Sequence, residues 1–147
     1  MKQRYMVVAA IILSMVLGLV IIDATKNTTF KEVVLDQLNV VEVSSIEVIR
    51  SSNTIEDKIT VTDPSQIKAV MNAFSLITLR EASCSNINHM ESYWITIKTN
   101  KIRQFGITLY NKDYVNIYDY NSKNKNSEKT YKITNEFDPR VIRGLFS

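Results

Sequence analysis

The chain has 147 residues, of which 45% are hydrophobic and 22% are charged. This size and balance fit one folded domain and exclude a disordered chain or a fibrous repeat. Lys2, Arg4 and Lys26 account for most of the net charge of +3, and only Asp23 opposes them in that region. The rest of the chain is nearly neutral, which excludes a strongly basic nucleic-acid-binding surface. Cys84 is the only cysteine, so an intramolecular disulfide is excluded.

The N-terminal segment predicts a membrane anchor. Residues 6–22 carry no charge, and as a helix they would be about 25 Å long, close to the ~30 Å hydrocarbon core of a bilayer. Asp23 ends the run because a charge inside the bilayer is costly. The sequence therefore predicts a cytoplasmic N-terminus over residues 1–4 and one transmembrane signal-anchor helix over residues 5–22.

The charges that flank this segment predict its orientation. Lys2 and Arg4 favour a cytoplasmic N-terminus, although Lys26 on the far side weakens the bias. We therefore expect a single-pass protein of the cell membrane with its C-terminal domain outside the cytoplasm. A cleaved signal peptide is the alternative, but the site after Ala24 has Ile22 where a small residue is preferred. An inverted anchor with a cytoplasmic domain also stays open.

The segment after the anchor predicts a linker followed by a β-hairpin. Residues 23–42 are assigned to a linker that can form a short helix, and residues 43–147 to an extracytoplasmic domain. Residues 43–50 and 58–62 are rich in β-branched side chains and alternate in polarity, and residues 51–57 between them are turn-like. This pattern is typical of two antiparallel strands.

Asp63 begins the clearest helix of the domain. Its side chain suits the N-cap, Pro64 suits the first helical position, and Gln66 completes a spacing like that of a capping box. The helix then carries an apolar stripe of Ile67, Val70, Met71 and Phe74. A short strand over 76–80 and a loop over 81–90 should follow.

The clearest strand signal is a three-stranded antiparallel meander. Polarity alternates along residues 93–98, 104–110 and 114–118, with three-residue turns predicted at 100–102 and 111–113. A last strand over 130–133 and a second capped helix from Asp138 complete the domain. The predicted fold class is therefore α+β: an antiparallel sheet, made of a hairpin and a meander, with two capped helices after one N-terminal transmembrane helix.

The polar face of the meander gives the candidate binding site. Pairing 97 with 105 and 109 with 115 puts three isoleucines on the inner face and four aromatic residues on the outer face. Aromatic rings with polar tips suit contacts with sugars or proteins, while cross-strand packing is the structural alternative. The same register places the ring of Tyr118 over the bare backbone of Gly106. The candidate binding residues are Trp94, Tyr110, Tyr114 and Tyr118.

Catalytic signals are weak. Cys84 and His89, with Glu81 and Glu91 nearby, are of the residue types that bind Zn or Cu, but their spacing matches no standard site. No nucleophile, metalloprotease or phosphate-binding motif is present. We therefore expect no catalytic residues, no bound metal and no cofactor. A small hydrolase or metal-binding enzyme that uses the loop 81–91 stays the alternative.

The order of elements resembles the small secreted or membrane-anchored domains of low-GC Gram-positive bacteria. The resemblance covers about residues 43–147 and depends on the helix opening T-D-P-S-Q-I-K-A-V-M-N-A-F at 62–74 and on the strand order. It implies an extracytoplasmic location and no particular activity. The predicted function is a membrane-tethered binding or interaction module with a protein or cell-envelope partner and no nucleic acid. A structural accessory subunit of a membrane complex is a further alternative.

Overall fold

The fold is described from a computed structural model that covers residues 2–24, 26–38, 43–52, 56–83, 87, 91–123 and 127–147; of residues 2–5 and 21–24 only the backbone is described. The strands are β1 (Asn27–Thr29), β2 (Val43–Ser52), β3 (Glu56–Val61), β4 (Thr78–Glu81), β5 (Glu91–Thr99), β6 (Ile102–Tyr110), β7 (Tyr114–Asp119) and β8 (Glu128–Ile133). The helices are α1 (Lys2–Ala24), α2 (Phe30–Val33), α3 (Pro64–Ser75) and α4 (Arg140–Arg143). Short 3₁₀ turns cover Leu35–Gln37 and Gly144–Phe146.

The eight strands form one antiparallel sheet in the order β1-β4-β8-β7-β6-β5-β2-β3. The predicted hairpin is β2–β3, and β2 continues the sheet by pairing with β5. The predicted meander has one strand more than expected, because β8 pairs with β7. The α+β assignment and the antiparallel sheet therefore agree with the structure.

The core lies on one face of this sheet. Ile95, Ile107 and Ile117 pair across three neighbouring strands and are almost fully buried, as the predicted register requires. Helices α2, α3 and α4 contribute buried side chains to the same core. The ring of Phe74 on α3 packs 4.9 Å from that of Phe30 and 5.4 Å from that of Phe137, measured between centroids.

Helix α3 begins where the sequence predicts. The Asp63 carboxylate accepts hydrogen bonds from the backbone N–H groups of Ser65 and Gln66, each at 2.9 Å. These bonds satisfy two of the donors that every helix leaves unpaired at its start. The four predicted stripe residues, Ile67, Val70, Met71 and Phe74, are all buried.

Residues 27–38, assigned from the sequence to a linker, take part in the sheet and the core. Thr29 ends β1 and caps α2: its hydroxyl accepts from the N–H of Glu32, whose carboxylate accepts from the N–H of Thr29. Phe30 and Val34 are almost completely buried. This segment forms the edge of the sheet through the pairing of β1 with β4.

The turn between β5 and β6 differs from the prediction. It has two residues, Asn100 and Lys101, which both have positive φ angles of 48° and 69°, as a type I′ hairpin turn requires. Lys98 pairs with Arg103, but the preceding residue Ile97 pairs with Phe105. Gln104 is therefore an extra residue on β6. This bulge restores the predicted register beyond it.

The structure also corrects the predicted transmembrane helix over residues 5–22. Helix α1 forms there, but in the part of the chain that the structure describes no helix is long and apolar enough to cross a membrane. The prediction of a membrane-spanning anchor is therefore wrong.

The closing helix α4 is shorter than expected and is held to the sheet by a polar cluster. Arg143 donates to the Glu91 carboxylate at 2.8 Å and to the hydroxyl of the buried Tyr93 at 3.3 Å. Arg50 on β2 donates to the other carboxylate oxygen at 3.1 Å. Burial acts to raise the pKa of Glu91, but hydrogen bonds from Tyr93 and Arg143 and the two arginine charges outweigh it and lower the pKa. The cluster therefore links β2, β5 and α4.

A second ionic cluster lies on the opposite face, where Glu47 bridges Lys58 and Lys98 on the two neighbouring strands. Only 15% of the Glu47 side chain is exposed. Hydrogen bonds from Lys58 and then Lys98, with their charges, lower the pKa of Glu47 to about 2. The cluster fixes the register of β2 between β3 and β5.

We predict that Glu47→Gln destabilises the domain by about 1 kcal/mol near neutral pH, because both lysines then lack their counter-ion. A depressed folded-state pKa gives stability above the ordinary carboxyl range that is lost as pH falls. The difference in the free energy of unfolding between wild type and variant should thus be constant above about pH 5. It should shrink as the pH falls from the ordinary carboxyl pKa to the folded-state pKa of about 2. Urea unfolding across this pH range measures it. Glu56→Gln, on the outer strand β3, is the control, and an equal loss in both variants would contradict the role of Glu47.

Candidate ligand-binding face

The candidate site lies on the face of the sheet opposite the core, here called the open face. Strand pairing builds one row across it from five strands: Ile49, Trp94, Thr108, Asn116 and Thr130. The predicted order of Trp94, Thr108 and Asn116 is confirmed by this register. Trp94 is 54% exposed, so none of the helices covers the centre of this face.

A gap in the next row gives the open face its depression. Gly106 occupies the position opposite Tyr118 and has no side chain. The ring of Tyr120 covers it: a Cβ atom on Gly106 would lie 3.2 Å from the Cε2 and hydroxyl atoms of Tyr120. The sequence predicted that the Tyr118 ring would lie there. Instead, Tyr118 packs edge-on against Tyr120, with 4.7 Å between ring centroids.

The β-bulge at Gln104 positions Tyr120. The backbone N–H of Tyr120 donates to the carbonyl of Gln104 at 3.0 Å, and the Asn121 side chain donates to the Gln104 side-chain oxygen at 2.6 Å. These contacts extend the pairing of β7 beyond its last regular residue. The Arg103 guanidinium carbon lies 5.9 Å from the centre of the Tyr120 ring, within the range of a cation–π contact.

These residues enclose a shallow cavity of about 250 Å³ on the open face. Its lining combines aromatic rings with a carboxylate, an amide and a hydroxyl. The lining residues are Trp94, Gly106, Thr108, Asn116, Tyr118, Tyr120 and Glu128.

Asn116 carries unused hydrogen-bonding capacity in this cavity. Its Nδ2 donates to the Glu128 Oε1 atom at 2.7 Å, which fixes the orientation of the amide. Its Oδ1 is shielded by the surrounding atoms and accepts no hydrogen bond from the residues that the structure describes. A shielded acceptor without a donor is costly, and such groups in folded proteins call for an explanation.

The structure brings together only part of the predicted site. Trp94 and Tyr118 line the cavity, whereas Tyr110 and Tyr114 pair with each other on the other side of the Trp94 row. Both of these tyrosines are half-buried. The predicted Tyr110–Tyr114 pair is thus confirmed as a pair but does not contribute to the cavity.

Tyr120, Asn116 and Glu128 belong to the cavity but were not among the predicted site residues. Tyr120 continues the alternation of β7, so extending that strand by two residues would have placed it on the open face. Glu128 gave no such signal, because it lies on β8, which the sequence predicted to begin at residue 130.

The predicted loop site cannot be placed against this cavity. Cys84 and His89 lie outside the described residues. Among the residues that the structure does describe, no three His, Cys, Asp or Glu side chains come close enough together to hold a metal ion. Glu81 and Glu91, the carboxylates nearest to that loop, form ion pairs with Lys129 and with two arginines, respectively.

Comparison with known proteins leaves the family open. No protein-family model matches the chain, and no curated protein matches it. Among solved structures, the chain is similar to the "Crystal Structure of Putative Lipoprotein from Clostridium perfringens", with a TM-score of 0.45 and 14% identity over 81% of this chain and 93% of that chain. That organism is a low-GC Gram-positive bacterium. A likeness at this level carries no argument about function.

We predict that the double substitution Trp94→Ala with Tyr118→Ala lowers the free energy of unfolding by less than about 1.5 kcal/mol, because about half of each side chain is already in water. Phe105→Ala, from the buried face of β6, is the control and should cost about 3–5 kcal/mol. Urea unfolding of the three proteins makes the comparison. A loss in the double variant as large as in the control would reduce the open-face rings to packing residues.

Proposed function

We propose that this domain is a non-catalytic binding module and that the cavity on its open face is the ligand-contacting surface. The observation that carries the proposal is a cavity lined by the exposed rings of Trp94, Tyr118 and Tyr120. Exposed aromatic rings leave apolar area in water, and their burial by a partner is favourable. A structural role alone would bury the rings.

The described lining of the cavity holds no group of residues arranged for catalysis, which supports binding over catalysis. The described residues that line the cavity include one carboxylate and no histidine, cysteine or lysine. Glu128 therefore has no general acid or base partner in the lining, and the hydroxyl of Thr108 has no adjacent base that could activate it. The remaining polar groups are suited to orienting a ligand by hydrogen bonds.

The proposed setting is the outer side of the cell, with a protein or another envelope component as the partner. Support for it comes from the sequence: Lys2 and Arg4 precede an apolar N-terminal helix, a pattern common to exported proteins.

The only tryptophan of the chain, Trp94, lies in the cavity wall, so its fluorescence reports on this site alone. We predict that at least one compound from a panel of sugars, amines, carboxylates and short peptides changes this fluorescence saturably and is recovered chemically unchanged. Tyr118→Ala should weaken that binding by about tenfold, because an aromatic wall contributes about 1–2 kcal/mol.

Tyr114→Ala is the matched control for this experiment, since Tyr114 is on the same face but outside the cavity. Its affinity should equal that of the wild type. Equal affinity in the Tyr118 and Tyr114 variants would contradict the assignment of the site, and turnover of a bound compound would contradict a non-catalytic function.

A further inference from the structure

The charge of the cavity lining restricts the class of ligand, given the proposed binding site. Among the described residues that line the cavity, Glu128 is the only charged one. Within the described part of the chain, no lysine or arginine forms an ion pair with it. A carboxylate with a free lone-pair site at the edge of an aromatic cavity favours a cation over an anion.

The free hydrogen-bond acceptor of Glu128 also favours a cationic ligand. Glu128 carries a second carboxylate oxygen beyond the one that accepts from Asn116. An ionised carboxylate only accepts hydrogen bonds. The ligand must therefore bring donors, and a primary ammonium group brings three donors and no acceptor.

The aromatic rings of the cavity also suit a cationic ligand. The faces of tryptophan and tyrosine attract cations within about 6 Å of the ring centre, tryptophan most strongly. Trp94 and Tyr118 are 54% and 40% exposed, so both have ring surface available. Arg103 already lies near Tyr120, but it is not part of the cavity lining. Its exposed guanidinium is screened by water and salt.

The size and setting of the cavity select the carrier of the ammonium group. At about 250 Å³, the cavity lies below the usual range for a complete small-molecule ligand, about 300–1,000 Å³, and it fits the end of one long side chain. It opens on a broad face that carries a further half-buried aromatic pair, Tyr110 and Tyr114, outside the lining. This leaves room for the backbone of a partner.

We propose that the cavity binds the ammonium end of a lysine side chain from a partner protein. The ammonium group donates to the Glu128 carboxylate, and the alkyl chain and the charge lie against the rings of Trp94 and Tyr118.

The test titrates the full chain with capped lysine, Nα-acetyl-lysine-N-methylamide, and follows Trp94 fluorescence. The neutral analogue acetylated on Nζ has the same chain length and is the matched ligand control. We expect saturable binding of capped lysine, at least tenfold weaker binding of the neutral analogue, and weaker binding in high salt. Glu128→Gln should weaken the binding of capped lysine about tenfold through loss of the charge. Glu136→Gln, in the exposed connection to α4, should leave the affinity for capped lysine unchanged.

Three results would overturn this inference. Equal binding of the charged and neutral ligands would remove the ammonium group as the recognised feature. Binding of pentylamine without binding of capped lysine would assign the cavity to a free amine instead of a protein side chain. Saturable binding of a sugar, with no response to either amine, would overturn the ligand class and leave the proposed binding module intact.

Discussion

The structure depends on the burial of one face of a single antiparallel sheet. Strands whose side chains alternate between two environments can bury only one set, and helices α2, α3 and α4 all contribute to the same core. The inner set is built from isoleucine, valine, leucine and phenylalanine, with Tyr93 and Tyr131 as the exceptions that keep a polar atom. The outer set is therefore free to carry side chains that the core does not need.

Two local features turn this free face into a cavity. Gly106 removes one side chain from the row, and the bulge at Gln104 holds the Tyr120 backbone so that its ring covers that position. Either feature alone would give a flat aromatic patch or an empty groove. A side chain larger than hydrogen at 106 would displace the Tyr120 ring, because the added Cβ atom would lie closer to it than most real Cβ contacts allow. The geometry of the candidate site is thus set by backbone structure as much as by the aromatic side chains.

Much of the domain could be predicted from the sequence because its signals are local. The N-cap at Asp63 and the alternation along β5, β6 and β7 each depend on residues close together in the chain, and the structure confirms them. The pairing of β1 with β4 gave no local signal, since three polar residues of β1 become a strand only when a distant edge is available. The bulge was missed for a similar reason: a three-residue turn and a two-residue turn with one extra residue lead to the same register.

The binding site was predicted in part for the same reasons. Trp94 and Tyr118 follow from alternation, but the contact between Asn116 and Glu128 requires the pairing of β7 with β8. The predicted transmembrane span was wrong, although the helix itself forms, because no helix in the described part of the chain is long and apolar enough to cross a membrane.

The central claim is that the face of the sheet opposite the core is open to solvent in the isolated protein. Trp94 is the only tryptophan and lies at the centre of that face, so its emission spectrum and its quenching by acrylamide measure this property directly. The structure predicts emission close to that of a tryptophan in water and quenching nearly as efficient as that of a free indole. Blue-shifted emission that acrylamide hardly quenches would show that the chain covers Trp94 and would contradict the account.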